Sequence, residues 1–191
     1  MNIALFGGSF DPFHNGHSHI VSTVVKLDYI DKCIIIPNNL AVHKKKASAS
    51  VNQRLDMIRE GVKSLDESKI IGICLHEVSK NEPSWFVNTL KILIQENPSA
   101  KFFLVLGEDS FLKFHLWRDY HYILDYVSFI VFPRISTSKD IILDYGYQVL
   151  NNSKLIFIDQ PLRPVSSELI RLRCRFRKSY DDFLPKRVYQ Y

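Results

Sequence analysis

The chain has 191 residues, 46% of them hydrophobic and 24% charged, the proportions of one ordinary globular domain long enough to bury a core. Its longest apolar runs, such as Cys33-Ile34-Ile35-Ile36 and Phe102-Phe103-Leu104-Val105-Leu106, fall far below the roughly 18 residues a membrane span needs. A transmembrane protein is thereby excluded, and the passage from Met1-Asn2 straight into Ile3-Ala4-Leu5-Phe6 lacks the segments of a signal peptide, so a cytoplasmic location is the expectation.

The formal charge is +5, and the stretch 163–191, with eight basic side chains against three acidic ones, accounts for all of it. Such concentration points to a local anion site rather than a general polyanion coat. Cys33, Cys74 and Cys174 are far apart and odd in number, forming neither a zinc pattern nor a CxxC pair. They suit a reducing compartment, and at least two are expected to be buried thiols.

In chain order, Asn2 to Phe6 reads as a strand running into Gly7-Gly8, and Ile20, Val21, Val24, Val25 and Leu27 have helical spacing. Ile34 to Ile36 is a second strand, stopped by Pro37 and followed by an exposed loop rich in lysine and serine. Val51, Leu55, Ile58, Val62 and Leu65 recur at steps of four and three, an amphipathic helix. A strand over Ile70 to Leu75, a helix from about Ser84 to Asn97, a strand over Phe102 to Leu106, a helical region across Trp117 and a strand over Val127 to Phe132 follow. A weaker helix, the strand Leu155 to Ile158, and helices over Ser166 to Arg177 and about Leu184 to Tyr191 complete the chain. Continuous β-branched and aromatic runs suit strands covered on both faces, and their alternation with helices predicts an α/β fold, a doubly wound parallel sheet with helices on both faces. The expectation is one domain over 1–191, ending in a short helical segment from about 164.

Chemistry concentrates in Gly7-Gly8-Ser9-Phe10-Asp11-Pro12-Phe13-His14-Asn15-Gly16-His17, between the first strand and the first helix. In a doubly wound fold this edge binds ligands, glycines let backbone approach them, and a helix start turns N–H groups toward an anion. His14 and His17, three residues apart, would project together beside a phosphate. Neither a Walker A loop nor a GxGxxG fingerprint is present. Metal ligation by His14, His17, His19 and Asp11, or a purely structural turn, are the competing readings of the same stretch.

Gly8-Ser9-Phe10-Asp11-Pro12 followed by His14-Asn15-Gly16-His17 resembles the signature of the nucleotidyltransferase superfamily, which has a Rossmann-like core and joins a nucleotide to a phosphorylated acceptor. Later segments resemble the bacterial nicotinate-nucleotide adenylyltransferases over essentially the whole chain. His43-Lys44 is similar to a Pro-His-Lys segment with Val42 in place of proline, which implies Lys44 as a phosphate contact. Pro83-Ser84-Trp85-Phe86 and Thr89-Leu90 are similar to G-P-S-Y-T and T-L, implying that backbone after Ser84 holds a pyridine carboxylate; tryptophan and phenylalanine stand where tyrosine and threonine are usual. Trp117 has the spacing of a tryptophan that stacks on the pyridine, although composition alone favours a core role. Asp109, in Gly107-Glu108-Asp109, corresponds to the acid of a G-x-D motif facing the nucleotide. Val165-Ser166-Ser167-Glu168-Leu169-Ile170-Arg171 resembles I-S-S-T-x-[IL]-R, where the serines cap a helix and the arginine reaches phosphates; Glu168 replaces threonine.

The resemblance implies an adenylyltransferase in which the 5′-phosphate of nicotinic acid mononucleotide attacks the α-phosphorus of ATP. His14, His17, Lys44 and Arg171 would form the catalytic set. Gly7, Gly8, Ser9, Phe10, Asp109, Ser166 and Ser167 would bind ATP, and Ser84, Trp85, Phe86 and Trp117 the nicotinate nucleotide. Mg²⁺ is expected to arrive on the triphosphate rather than in a dedicated protein cage. Neither nucleic acid nor a membrane is an expected partner, and homo-oligomerisation is left open. The alternatives are the same chemistry on nicotinamide mononucleotide or phosphopantetheine, a nucleic-acid-binding module built on the basic C-terminal helix, or a nucleotide-binding relic.

Overall fold

The computed structural model describes residues 1–41, 47–63, 65, 70–79, 83–134, 139–150, 154–160 and 164–191. In order these form β1 (Asn2–Gly8), α1 (Asn15–Val25), β2 (Lys32–Pro37), β3 (Leu40–Ala41), α2 (Val51–Val62), β4 (Ile70–Ile73), β5 (Pro83–Ser84) and α3 (Phe86–Glu96). There follow β6 (Lys101–Gly107), α4 (Glu108–Phe111), a 3-10 turn (Phe114–Leu116), α5 (Tyr120–Tyr126), β7 (Val127–Phe132), α6 (Lys139–Leu150), β8 (Leu155–Phe157), α7 (Ser167–Arg175) and α8 (Lys186–Gln190), with a second 3-10 turn at Asp181–Phe183.

Among the described residues, six strands form one parallel sheet in the order β4-β2-β1-β6-β7-β8. Numbered within that sheet alone, this is 3-2-1-4-5-6, the doubly wound order, which reverses between β1 and β6. The pleat of β1 explains how both faces are covered. Ile3 and Leu5 point into one apolar layer with Val87, Leu90 and Leu93 of α3, Ile123 of α5 and Ile142 of α6. Ala4 and Phe6 point into the other, with Ile20, Val21 and Val24 of α1, Ile58 of α2, Ile170 of α7 and Val188 of α8. The C-terminal helices therefore complete a core face.

Two expectations are corrected. The helical region across Trp117 is broken into α4, a 3-10 turn and α5, because Lys113, Trp117 and Asp119 leave the helical conformation. The loop after β2 contributes β3, which pairs with β5 in a separate two-stranded parallel sheet. Cys33 and Cys74 are buried as expected and Cys174 is exposed. No helix among the described residues is long and apolar enough to cross a membrane.

Candidate active site

The reversal of strand order makes the loops leaving β1 and β6 diverge, opening a crevice at the carboxyl edge of the sheet. The loop leaving β1 turns sharply at Phe10, whose φ of 51° lies in the left-handed region that a bulky residue occupies only at a cost. Its ring is buried against Phe6, Phe13 and His17, with centroids 4.9 to 5.9 Å apart. A Cβ on Gly8 would stand 2.9 Å from that ring, so Gly8 is required for the ring to pass beneath the loop. Phe10 thus supports the loop with its buried ring, which leaves its backbone to face a nucleotide.

Three side chains from distant elements hold this loop. The buried Asp11 carboxylate accepts the N–H groups of Ser48 (2.7 Å) and Ala49 (3.0 Å) and faces Arg171 Nη1 at 3.6 Å. Arg171 also donates to the Asp11 carbonyl, and Ser167 Oγ donates to the Pro12 carbonyl at 3.0 Å. Arg54 of α2, only 1% exposed, donates through Nη1 to the carbonyls of Ser9 and Asn38, each at 2.7 Å. Burial draws the Arg54 pKa down, and the Asp11 charge works against that shift. Sequence reasoning missed Arg54, although it lies three residues after Val51 and four before Ile58, within the buried stripe of the helix.

At the start of α1, His14 is the N-cap. Its Nδ1 accepts the His17 N–H at 3.4 Å, while His17 Nδ1 accepts the His14 N–H at 3.2 Å. This is a capping box made from two histidines. The rings stack at 3.6 Å between centroids and 17° between planes. An Nδ1 that accepts carries no proton, so each ring holds its N–H on Nε2. The exchange sets both tautomers. A Cβ on Gly16 would lie 3.0 Å from Val165 and 3.1 Å from the His14 ring, which explains the glycine between the histidines. Within this segment Asp11 accepts two backbone N–H groups, both Nδ1 atoms serve the cap, and the His19 ring faces Phe132 at 6.4 Å. Among the described residues, no three His, Cys, Asp or Glu side chains gather to hold a metal.

Gly107 caps α4 at the end of β6, placing Asp109 at the crevice, half exposed and paired with Arg134 Nη2 at 2.5 Å. The buried Glu108 carboxylate accepts the Arg134 backbone N–H at 2.8 Å. Burial is the main cause of a lowered His14 pKa, and the charge of Arg134, just past β7, adds to it in smaller measure. Sequence reasoning missed this residue too; a basic side chain two residues after the end of a strand of a doubly wound sheet was the available signal.

Ser84, Trp85, Phe86 and Trp117 come together on the other side. Ser84 Oγ accepts the Asn39 N–H at 2.9 Å, and Asn38 donates its N–H to the Gly8 carbonyl, which joins this group to the loop after β1. Phe86 meets Trp117 edge to face at 5.7 Å, and Trp117 leans on Phe114 at 5.5 Å. Trp85 precedes α3 as its N-cap without any side-chain cap bond, so the helix start retains backbone donors for an anion. Behind it, the half-buried Glu77 carboxylate takes hydrogen bonds from Thr89 and Ser84, and burial raises its pKa. Neither Glu77 nor its link to Ser84 was visible as a motif.

The serines at the start of α7 include the helix cap expected from the sequence. Ser166 Oγ caps the helix by accepting the Leu169 N–H at 3.2 Å, and Ser167 Oγ is engaged by Pro12. Lys44 lies outside the described residues.

A Cytidylyltransferase-like family profile matches residues 5–173. The nicotinate-nucleotide adenylyltransferase of Salmonella typhimurium is 32% identical, over 98% of this chain and 94% of that protein. Two structures of the Plasmodium falciparum nicotinic acid mononucleotide adenylyltransferase, one complexed with NaAD and one with APC, share the fold. Their TM-scores are 0.82 and 0.79 at 20% identity, covering 98% of this chain and 93% and 92% of theirs. On its profile match and its identity across nearly the full length, the chain belongs to the cytidylyltransferase-like family and, within it, to the nicotinate-nucleotide adenylyltransferases.

Proposed function

We propose that this protein transfers the adenylyl group of ATP to the 5′-phosphate of nicotinic acid mononucleotide, giving deamido-NAD and pyrophosphate. The mutually capped His14–His17 pair at the mouth of the crevice carries the reading. An acceptor phosphate oxygen forms a bond to the α-phosphorus while the bond from that phosphorus to the bridging oxygen of pyrophosphate breaks. The acceptor is already ionised, so no protein base has to take a proton from it. What the protein must supply is alignment and charge compensation. Two Nε2–H donors of fixed tautomer answer to the charge developing on the α-phosphoryl oxygens. Arg171 keeps guanidinium donors beyond its bonds to Asp11 for the departing pyrophosphate, and the reading assigns Lys44 to the same phosphates.

Mg²⁺ is taken to come with the triphosphate, since the described donors offer no cage of three ligands. The uncapped start of α3 suits a pyridine carboxylate, and the Phe86–Trp117 pair suits the ring. A cytoplasmic location, where ATP is abundant, goes with this reading.

The test is pyrophosphate release from Mg-ATP with nicotinic acid mononucleotide, nicotinamide mononucleotide or phosphopantetheine supplied in parallel. The highest kcat/KM is expected with the first. A preference for either other acceptor replaces the substrate and keeps the chemistry, and no release with any of them overturns the enzyme reading.

A further inference from the structure

Arg118 follows Trp117 directly, and its guanidinium carbon stands 5.1 Å from the centre of the Trp85 ring. The side chain is 55% exposed, and its acidic neighbour is Asp119, at 3.9 Å from Nε. An ion pair that long and that exposed holds its members weakly. Two segments far apart in sequence, the residue before α3 and the turn before α5, thus meet through a cation over an aromatic face. The same two segments meet a second time through Phe86 and Trp117. Asp119 has a φ of 51°, a left-handed conformation uncommon outside glycine, so the chain turns abruptly right after Arg118.

The chemical problem at this place is to tell a ring carboxylate from a ring amide. Backbone N–H groups at a helix start donate to the oxygen of either, so neutral donors alone separate the two poorly. A fixed cation favours only the charged member of the pair. We infer that Arg118, held over Trp85, is the specificity-determining residue that favours an acidic pyridine nucleotide over its amide. The inference rests on the acceptor reading above and adds to it the group that makes the choice.

The experiment measures kcat and KM for nicotinic acid mononucleotide and nicotinamide mononucleotide on the wild-type protein, Arg118→Gln and Arg118→Lys at saturating Mg-ATP. Arg118→Gln is expected to raise KM for the acid about tenfold, the worth of one hydrogen bond to a charged group, with kcat changed by less than twofold. KM for the amide is expected to stay within twofold, and Arg118→Lys to recover part of the loss because it restores the charge without the planar fork. Equal changes for both acceptors, or none for the acid, overturn the role of Arg118 and leave the acceptor reading standing. A wild-type protein that releases no pyrophosphate with the acid overturns both.

Discussion

His14 and His17 cap each other's backbone before they meet any substrate, and that exchange makes a chemical prediction at the level of single groups. Burial, reinforced by the Arg134 charge, lowers the His14 pKa to about 4 from an ordinary value of 6.5. The folded protein therefore holds this ring neutral through the physiological range, as an Nε2–H donor rather than a cation. In the unfolded chain the ring takes up a proton below 6.5, so acid favours unfolding. The stability present above pH 6.5 is lost as pH falls toward 4, by about 3 kcal/mol for this one group. Urea titrations at pH 7 and pH 4 should show it: His14→Asn keeps a cap acceptor and removes the titrating ring, so its loss between the two pH values should be smaller by about that amount. An identical loss in both proteins rules out a neutral, buried His14. His17→Ala removes one cap and one donor. Its expected effects are about 1 kcal/mol of stability and about a 10²-fold fall in kcat, read from melts and from pyrophosphate release. A kcat near wild type would remove His17 from the chemistry.

Among the elements, α2 is where packing overrules propensity. Gly61 lies near its end, and replacing a helix glycine by alanine ordinarily gains about 1 kcal/mol. Here a Cβ would collide with the ring of Phe13, which is completely buried. Overpacking of that kind costs about 1–3 kcal/mol, and Phe13 sits in the loop that carries the histidines. Gly61→Ala should therefore lower the unfolding free energy by about 1 kcal/mol and reduce kcat/KM as well; a more stable variant with full activity would show that Phe13 has room to move. The same distinction explains what could be read before the structure. The six main strands were legible because each is a continuous apolar run, and Val127–Phe132 was located to the residue. The position of the histidines was legible because a strand, glycines and a helix follow one another locally. Arg54, Glu77 and Arg134 were not, since their work is defined by carbonyls, hydroxyls and carboxylates contributed by other segments. The pairing of β3 with β5 involves two residues in each strand, too few for any periodicity.

Across the whole molecule, the basic C-terminal segment is attached to the loop after β1 at one end and to α2 at the other. Arg171 and Ser167 reach across some 160 positions of sequence to Asp11 and Pro12, while the Tyr191 hydroxyl donates to Asp56 at 3.1 Å. Ile170, Leu184 and Val188 bury themselves in the layer formed by α1 and α2. The excess charge is consequently a structural partner of the loop that carries the histidines as well as a candidate phosphate grip. These two roles make different predictions for a double-mutant cycle between Asp11→Asn and Arg171→Gln. If Arg171 positions the loop through Asp11, the two substitutions share one interaction and their effects on kcat/KM for Mg-ATP should fall short of additivity by about 1–3 kcal/mol. Asp11→Asn alone should already slow turnover, because the loop loses its charged tie to α7. Full additivity would mean that Arg171 acts on the nucleotide without help from Asp11. Arg171→Lys refines the reading: a lysine replaces the charge near a phosphate and cannot bond the Asp11 carboxylate and carbonyl together through a planar fork. Partial recovery of KM for ATP without recovery of the coupling would assign the charge to the nucleotide and the fork to the loop.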